Sequence, residues 1–326
     1  MEKTRKSQKK KRSDKFINTA VILLLIAGLC IMLYPTVSNW WNQRHETRAI
    51  TQYIQKTKDM SAAERKQMWN EARAYNRRLA ERELGSAAAG GTGLNLNLSP
   101  SEEKEYLGIL DVTGTGIMGY VAIPDINVYL PIYHGTDEAA LQVAIGHLEG
   151  TSFPVGGKST HCVISGHTGL PSAKLFTDID QLKKGNYFML KVLGKTLTYK
   201  VDHIETVLPD QLDSLQIEAG KDYCTLVTCT PYGINTHRLL VRGHRVPNIP
   251  EEMEAADNGL LRQRLLLLLI LLIALAAAGG YLWYRRRRQR RNGQTSAVGN
   301  EIAASATSTA SEMSAQSTDG QVLFCV

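Results

Sequence analysis

The chain has 326 residues, a formal net charge of +7 and 43% hydrophobic residues, which is enough apolar material for one or two domains with a full core. The charge is concentrated: residues 1–15 carry +6, and Arg285–Arg288 with Arg290 and Arg291 carry another +6, leaving −5 for everything else. No general basic surface remains to grip a phosphate backbone, so a nucleic-acid partner is excluded.

In chain order, the basic segment 1–16 is followed by Ile17–Tyr34, 18 residues without a charge. A second apolar run, Leu265–Tyr284, has 20 residues and leads into the arginine cluster. At about 1.5 Å per residue each run reaches across a hydrocarbon core of roughly 30 Å. Lys/Arg excess marks the inner side of a membrane, and here it precedes the first run and follows the second. The expectation is a protein of the cell membrane with two spans, 17–34 and 265–284, both termini cytoplasmic and residues 35–264 outside. The competing reading of the first run is a cleaved signal peptide, for which Thr36 and Ser38 offer only a weak cleavage site. The tail 285–326 is basic and then Ser/Thr/Ala-rich, a composition that cannot build a core.

Between the runs, residues 44–84 are rich in Arg, Glu, Ala, Lys and Gln and read as a helical stalk or packing helix. GSAAAGGTGLNLNLSP (85–100) then reads as linker, and 35–106 as stalk plus linker together. Residues 107–248 change texture. Short β-rich runs at Gly119–Ile123, Val128–Tyr133, His161–Gly166, Tyr187–Val192, Thr196–Val207, Tyr223–Thr228 and Arg238–Arg245 are separated by Gly, Pro, Asp and Asn. Helices are expected near Asp137–Ile145 and Ser172–Asp178. The pattern predicts a mainly β domain, one closed or nearly closed barrel with short helices, with 249–264 as linker to the second span.

Of five cysteines, Cys30 lies in the first run and Cys325 in the tail, leaving Cys162, Cys224 and Cys229 outside. An odd number argues against a disulfide framework. No CxxC or HExxH spacing points to a metal, and the acidic residues Asp202, Glu205, Asp210, Asp213 and Glu218 read as a solvated loop, so no metal or cofactor is expected. Cys229 ends the alternating strand TLVTC, and Pro231, Gly233 and Asn235 turn the chain before Arg238 opens the next apolar run. If those runs pair, Cys229 and Arg238 meet at facing strand ends: a thiol placed to attack a bound carbonyl, beside a permanent charge able to hold the resulting oxyanion. A proton shuttle is also needed, and spacing does not choose between His167 and His237.

TLVTC (225–229), NTHRLLVRG (235–243), GIMGYVAIP (116–124), LPIYHGT (130–136) and SGHTG (165–169) stand in the motif order of the sortases, the membrane-bound cysteine transpeptidases of Gram-positive bacteria. The chain most resembles class C, the pilus-assembling subclass, over about 107–248. The resemblance implies a sortase-type barrel with Cys229 as nucleophile, His167 as general acid/base and Arg238 as oxyanion stabiliser, with Thr228 lining the site beside the nucleophile. It also implies partners: pilin or surface-protein substrates carrying LPxTG-like signals, and a pilin lysine as acceptor. An anchoring enzyme of class A type, passing substrate to a cell-wall peptide, is the nearest alternative. A non-catalytic membrane-tethered binding barrel is the alternative outside enzymes. The chain lacks the Asp-Pro-aromatic lid motif of many class C members; only Leu98-Ser99-Pro100 stands between stalk and barrel, and no plug residue is assigned within 85–106.

Overall fold

The computed structural model describes residues 2–89, 94–142 and 144–248, with isolated positions at 276 and 280. The expected second span, the linker before it and the tail fall outside the described residues, apart from those two positions. The first apolar run lies within α1 (Glu2–Asp59), though several of its side chains are likewise outside. Among the described residues, no helix is long and apolar enough to cross a membrane.

The segment expected as one helix over 44–84 is two. α1 stops at Asp59, and α2 (Ala62–Ala88) restarts behind Ser61, whose hydroxyl accepts from Glu64 N while the Glu64 carboxylate accepts from Ser61 N. This capping box satisfies two end groups reciprocally. α3 (Pro100–Gly108) repeats the device with Ser99 and Glu102, and Pro100 sits where a helix start needs no amide proton.

Eight strands follow: β1 (Ile117–Ile123), β2 (Val128–His134), β3 (Ile145–His147), β4 (Thr160–Ser165), β5 (Tyr187–Val192), β6 (Lys195–Val207), β7 (Asp222–Thr230) and β8 (His237–Val246). They close in the order β1-β2-β3-β4-β7-β8-β6-β5. Closure removes both free edges, the general hazard of a sheet. The mainly β, closed-barrel expectation is thereby met. β3 was not expected. α4 (Glu138–Leu141) is a single turn within the helix foreseen at Asp137–Ile145. The helix expected at Ser172–Asp178 does not form. Its backbone is engaged elsewhere: Lys174 N donates to Asn39 Oδ1, Ser172 O accepts from Ser38 and Asn42, and Leu175 has φ +36°.

All seven residues of β1 are buried, because the barrel interior takes one face and α1 covers the other. Tyr53 of α1 spans the joint, donating to Met118 O at 3.0 Å and accepting from Leu193 N at 2.9 Å. Asn76 of α2 is 2% exposed yet fully used, donating to Phe153 O and accepting from Phe153 N. Ile50, Trp69, Tyr75, Leu79 and Tyr106 join the barrel residues in one apolar cluster. The helices are therefore part of the core, each large side chain contributing about 1.5–3 kcal/mol on burial.

Candidate active site

β7 and β8 are antiparallel neighbours with Cys229 paired to Arg238 and Thr230 to His237. Strand alternation puts Val227 and Cys229 on the same face of β7, and Arg238 and Leu240 on the same face of β8. That face is the floor of a cavity of about 180 Å³ lined by Val163, Val227, Leu240, Leu215 and Arg238 among others. The groove is mostly apolar and reaches the half-buried guanidinium of Arg238, whose strand partner, the half-buried Cys229, stands just beyond the lining residues. Arg238 Nη1 donates to Asn235 O and His237 O, which holds the guanidinium against the β7–β8 loop.

β4 runs parallel to β7, the last pair being Ser165 with Val227. Gly166 N donates to Val227 O, so the ladder continues one step beyond the strand. Continued by one more residue, the same register would set His167 level with Cys229. Position 166 demands glycine: a Cβ there would come within 2.8 Å of Ile145 and of the Phe176 ring. His167 O accepts from Phe176 N and closes the loop that follows. That loop is tied in turn to α1, where Asn42 Nδ2 donates to Ser172 O at 2.7 Å. On the other side it meets the β7–β8 loop, since a Cβ at Gly169 would stand 3.1 Å from the Tyr232 ring. Sequence reasoning left His167 and His237 open until resemblance chose. Extending the β4–β7 register two residues past Ser165 and Val227 puts His167 level with Cys229, while His237 opens β8 opposite Thr230, its Nδ1 at 2.9 Å from Thr236 Oγ1.

Thr228, expected to line the site beside the nucleophile, is 3% exposed, and its hydroxyl donates to Gly166 O at 2.7 Å. Alternation explains this, because Thr228 faces opposite to Val227 and Cys229. It holds the segment leading to His167.

The linker, expected as flexible and as a possible lid region with no plug residue assigned, lines the groove. Leu96 lines the same cavity as Arg238, and Leu94 packs against Val163, Leu215, Val227 and Leu240. Leu94, Leu96 and Leu98 are half-buried while Asn95 and Asn97 are exposed, a period of two that LNLNL carries in the sequence. The fit is close: a Cβ on Gly150, already at φ +80°, would stand 2.2 Å from Asn95 O. Among the expected acidic loop residues, Asp202 and Glu218 both pair with Arg242.

Comparison with known proteins places this geometry. Sortase C1 from Streptococcus agalactiae is 50% identical, with a TM-score of 0.58, and the match covers 62% of this chain and all of that one. The chain belongs to the sortases. The sortase domain matches residues 121–246, and the structural neighbours set the chain among the class C, pilus-type enzymes of this transpeptidase family. Sortase C from Streptococcus pneumoniae is 42% identical, TM-score 0.52, over 62% of this chain and 97% of that one. Clostridium perfringens sortase C, solved with its C-terminal cell wall sorting motif, gives the same identity and TM-score over 62% and 100%. Among curated relatives, Sortase A of Streptococcus agalactiae is 31% identical over 149 residues; this match spans 45% of the chain and only 59% of that relative's length. Sortase A of Staphylococcus aureus is 24% identical over 234 residues, 70% of this chain and 92% of that one.

Proposed function

We propose that this sortase cleaves an LPxTG-like sorting signal between Thr and Gly and joins the new carboxyl end to a pilin lysine. The Cys229 thiolate attacks the Thr carbonyl, Arg238 stabilises the oxyanion of the tetrahedral intermediate, and His167 protonates the departing glycine amine. The Thr acyl group is then a thioester on Cys229. The lysine amine attacks it, His167 takes the amine proton, and the thiolate leaves as the isopeptide bond forms. The pairing of Cys229 with Arg238 at the end of an apolar groove is the observation that carries this reading. The class C neighbours support a pilin as substrate, and the Clostridium perfringens structure links such a fold to a C-terminal sorting motif. Incubating the full chain with a pilin bearing its sorting signal tests it: covalent pilin oligomers should appear, and a monomer that remains unjoined would remove the polymerase role. The sortase A relatives favour, as second reading, transfer to a cell-wall peptide amine, which the same assay with such a peptide would reveal.

In this reading Leu94–Leu98 is a cover that a substrate must displace, because Leu96 occupies groove space an extended apolar peptide would need. The protein is also proposed to sit in the cell membrane with its barrel outside. Leu23, Leu24, Ile31, Met32, Leu33 and Trp41 are large apolar side chains left exposed on α1, an arrangement suited to lipid and its interface. Labelling of Cys229 but not Cys325 by an impermeant thiol reagent on intact cells is the expected result, and equal labelling would contradict that topology.

A further inference from the structure

A second cavity, of about 470 Å³, opens between the helical pair and the barrel, at the end of the strands opposite the groove. It is formed where the end of α1, the start of α2, Tyr120 of β1 and the β5–β6 turn come together. Four of its lining side chains are cations, Lys58, Arg65, Lys191 and Lys195, and none is acidic. Residues 16–248 carry 22 Lys/Arg against 22 Asp/Glu, so on this net-neutral body four cations around one concavity are a concentrated positive site. Like charges around one concavity repel, and an anion entering it relieves that repulsion.

Three of the four cations are held without carboxylates. Among the described residues Lys58, Arg65 and Lys195 have no acidic partner. Arg65 spends Nη1 on Thr57 O at 2.9 Å and on Met60 O, which fixes the guanidinium at the α1–α2 corner and leaves its Nε and Nη2 donors over. Lys195 Nζ lies 4.0 Å from the centroid of the Trp69 ring. Thr57 also lines the cavity and is 5% exposed; its hydroxyl lies beside Tyr53 and has no other partner among the described residues. A buried donor satisfied this weakly is destabilising unless something further meets it.

We propose that this cavity is a ligand site distinct from the groove and that it takes a phosphate ester. A doubly charged tetrahedral head matches the arginine fork flanked by two lysines better than a single carboxylate would. The rings of Tyr53 and Tyr120 are placed to pack the organic part, and the volume suits a phosphorylated polyol or sugar. The phosphate could come from a lipid headgroup or from a soluble or wall-borne ester. Lys58 stands 24 residues beyond Tyr34, the end of the apolar run, or about 36 Å along α1. That distance favours the second source. The site does not depend on the transpeptidase reading.

Calorimetric titration of the full chain in detergent micelles, in phosphate-free buffer, tests the proposal with sn-glycerol 3-phosphate as probe. The expected result is saturable binding that inorganic phosphate competes and that glycerol does not show. Lys58→Gln/Lys195→Gln, two exposed positions, should weaken it by about tenfold or more, and Thr57→Val should weaken it while leaving the melting temperature of the unliganded chain equal or higher. No binding up to about 10 mM, or equal affinity in the double variant, would overturn the site. Binding of a short-chain phosphatidylglycerol about tenfold tighter than glycerol phosphate would keep the anion chemistry but overturn the soluble source.

Discussion

Cys229 and Arg238 face each other as the penultimate residue pair of the β7–β8 ladder, at the mouth of the loop joining the strands. The guanidinium is thereby aimed by backbone pairing and by two carbonyls rather than by a carboxylate. Lysine at this position keeps the charge but loses the fork. Arg238→Lys is expected to lower kcat by about a hundredfold with little change in stability, as loss of an oxyanion donor does. Steady-state cleavage of a sorting-signal peptide, alongside a melting curve, checks it; unchanged kcat would remove Arg238 from the reaction.

Leu94→Ser/Leu96→Ser removes the apolar grip of the linker on the groove. Each leucine contributes about 1–2 kcal/mol through its partial burial, so opening should become at least about tenfold more frequent. The rate of Cys229 alkylation by a soluble reagent, located by peptide mass mapping, should rise accordingly. A rate equal to that of the unaltered chain would show that this segment does not gate the thiol.

Thr228→Val keeps shape but deletes the hydrogen bond to Gly166 O. The freed carbonyl is buried, and a loss of about 1–2 kcal/mol in stability follows. Because that carbonyl precedes His167, kcat should fall while KM stays nearly constant. A rise in KM alone would instead restore Thr228 to substrate contact.

Glu83 of α2 is 3% exposed; burial pushes its carboxyl up from 4.5 to about 7, while one oxygen accepts from Ile217 N and the other has no partner among the described residues. Glu46 behaves alike, raised by burial to about 8. The folded state therefore holds these protons where the unfolded chain has released them. Stability must fall as pH rises from about 4.5 through the folded values, and level off above them. Glu83→Gln copies the neutral acid and should flatten part of this slope, gaining on the order of 1 to 3 kcal/mol above pH 7. Melting temperatures from pH 5 to pH 9 test it, and parallel curves for both proteins would contradict it.

Seven of the eight strands were legible because alternation and turn residues bound each one. β3 was not, since three residues within IGH carry no periodicity and parallel pairing with β2 is a tertiary matter. Cys229 opposite Arg238 could be read from a strand, a turn and a strand. The level of His167 could not, because it depends on a parallel β4–β7 ladder between segments some sixty residues apart. The Ser172–Asp178 loop lost its helix to hydrogen bonds with α1, which no local propensity anticipates. Leu94 and Leu96 illustrate a signal present but discounted: LNLNL has the period of a strand, and the neighbouring glycines made it read as linker.

The measurement that bears most directly on the nucleophile is intact mass of the full chain after incubation with an LPxTG peptide. A covalent adduct equal to the peptide minus its glycine-side fragment is expected, located at Cys229, absent from Cys229→Ala and released by an amine. Turnover of the peptide by Cys229→Ala at the rate of the unaltered chain, with no adduct in either, would contradict thioester chemistry at this site.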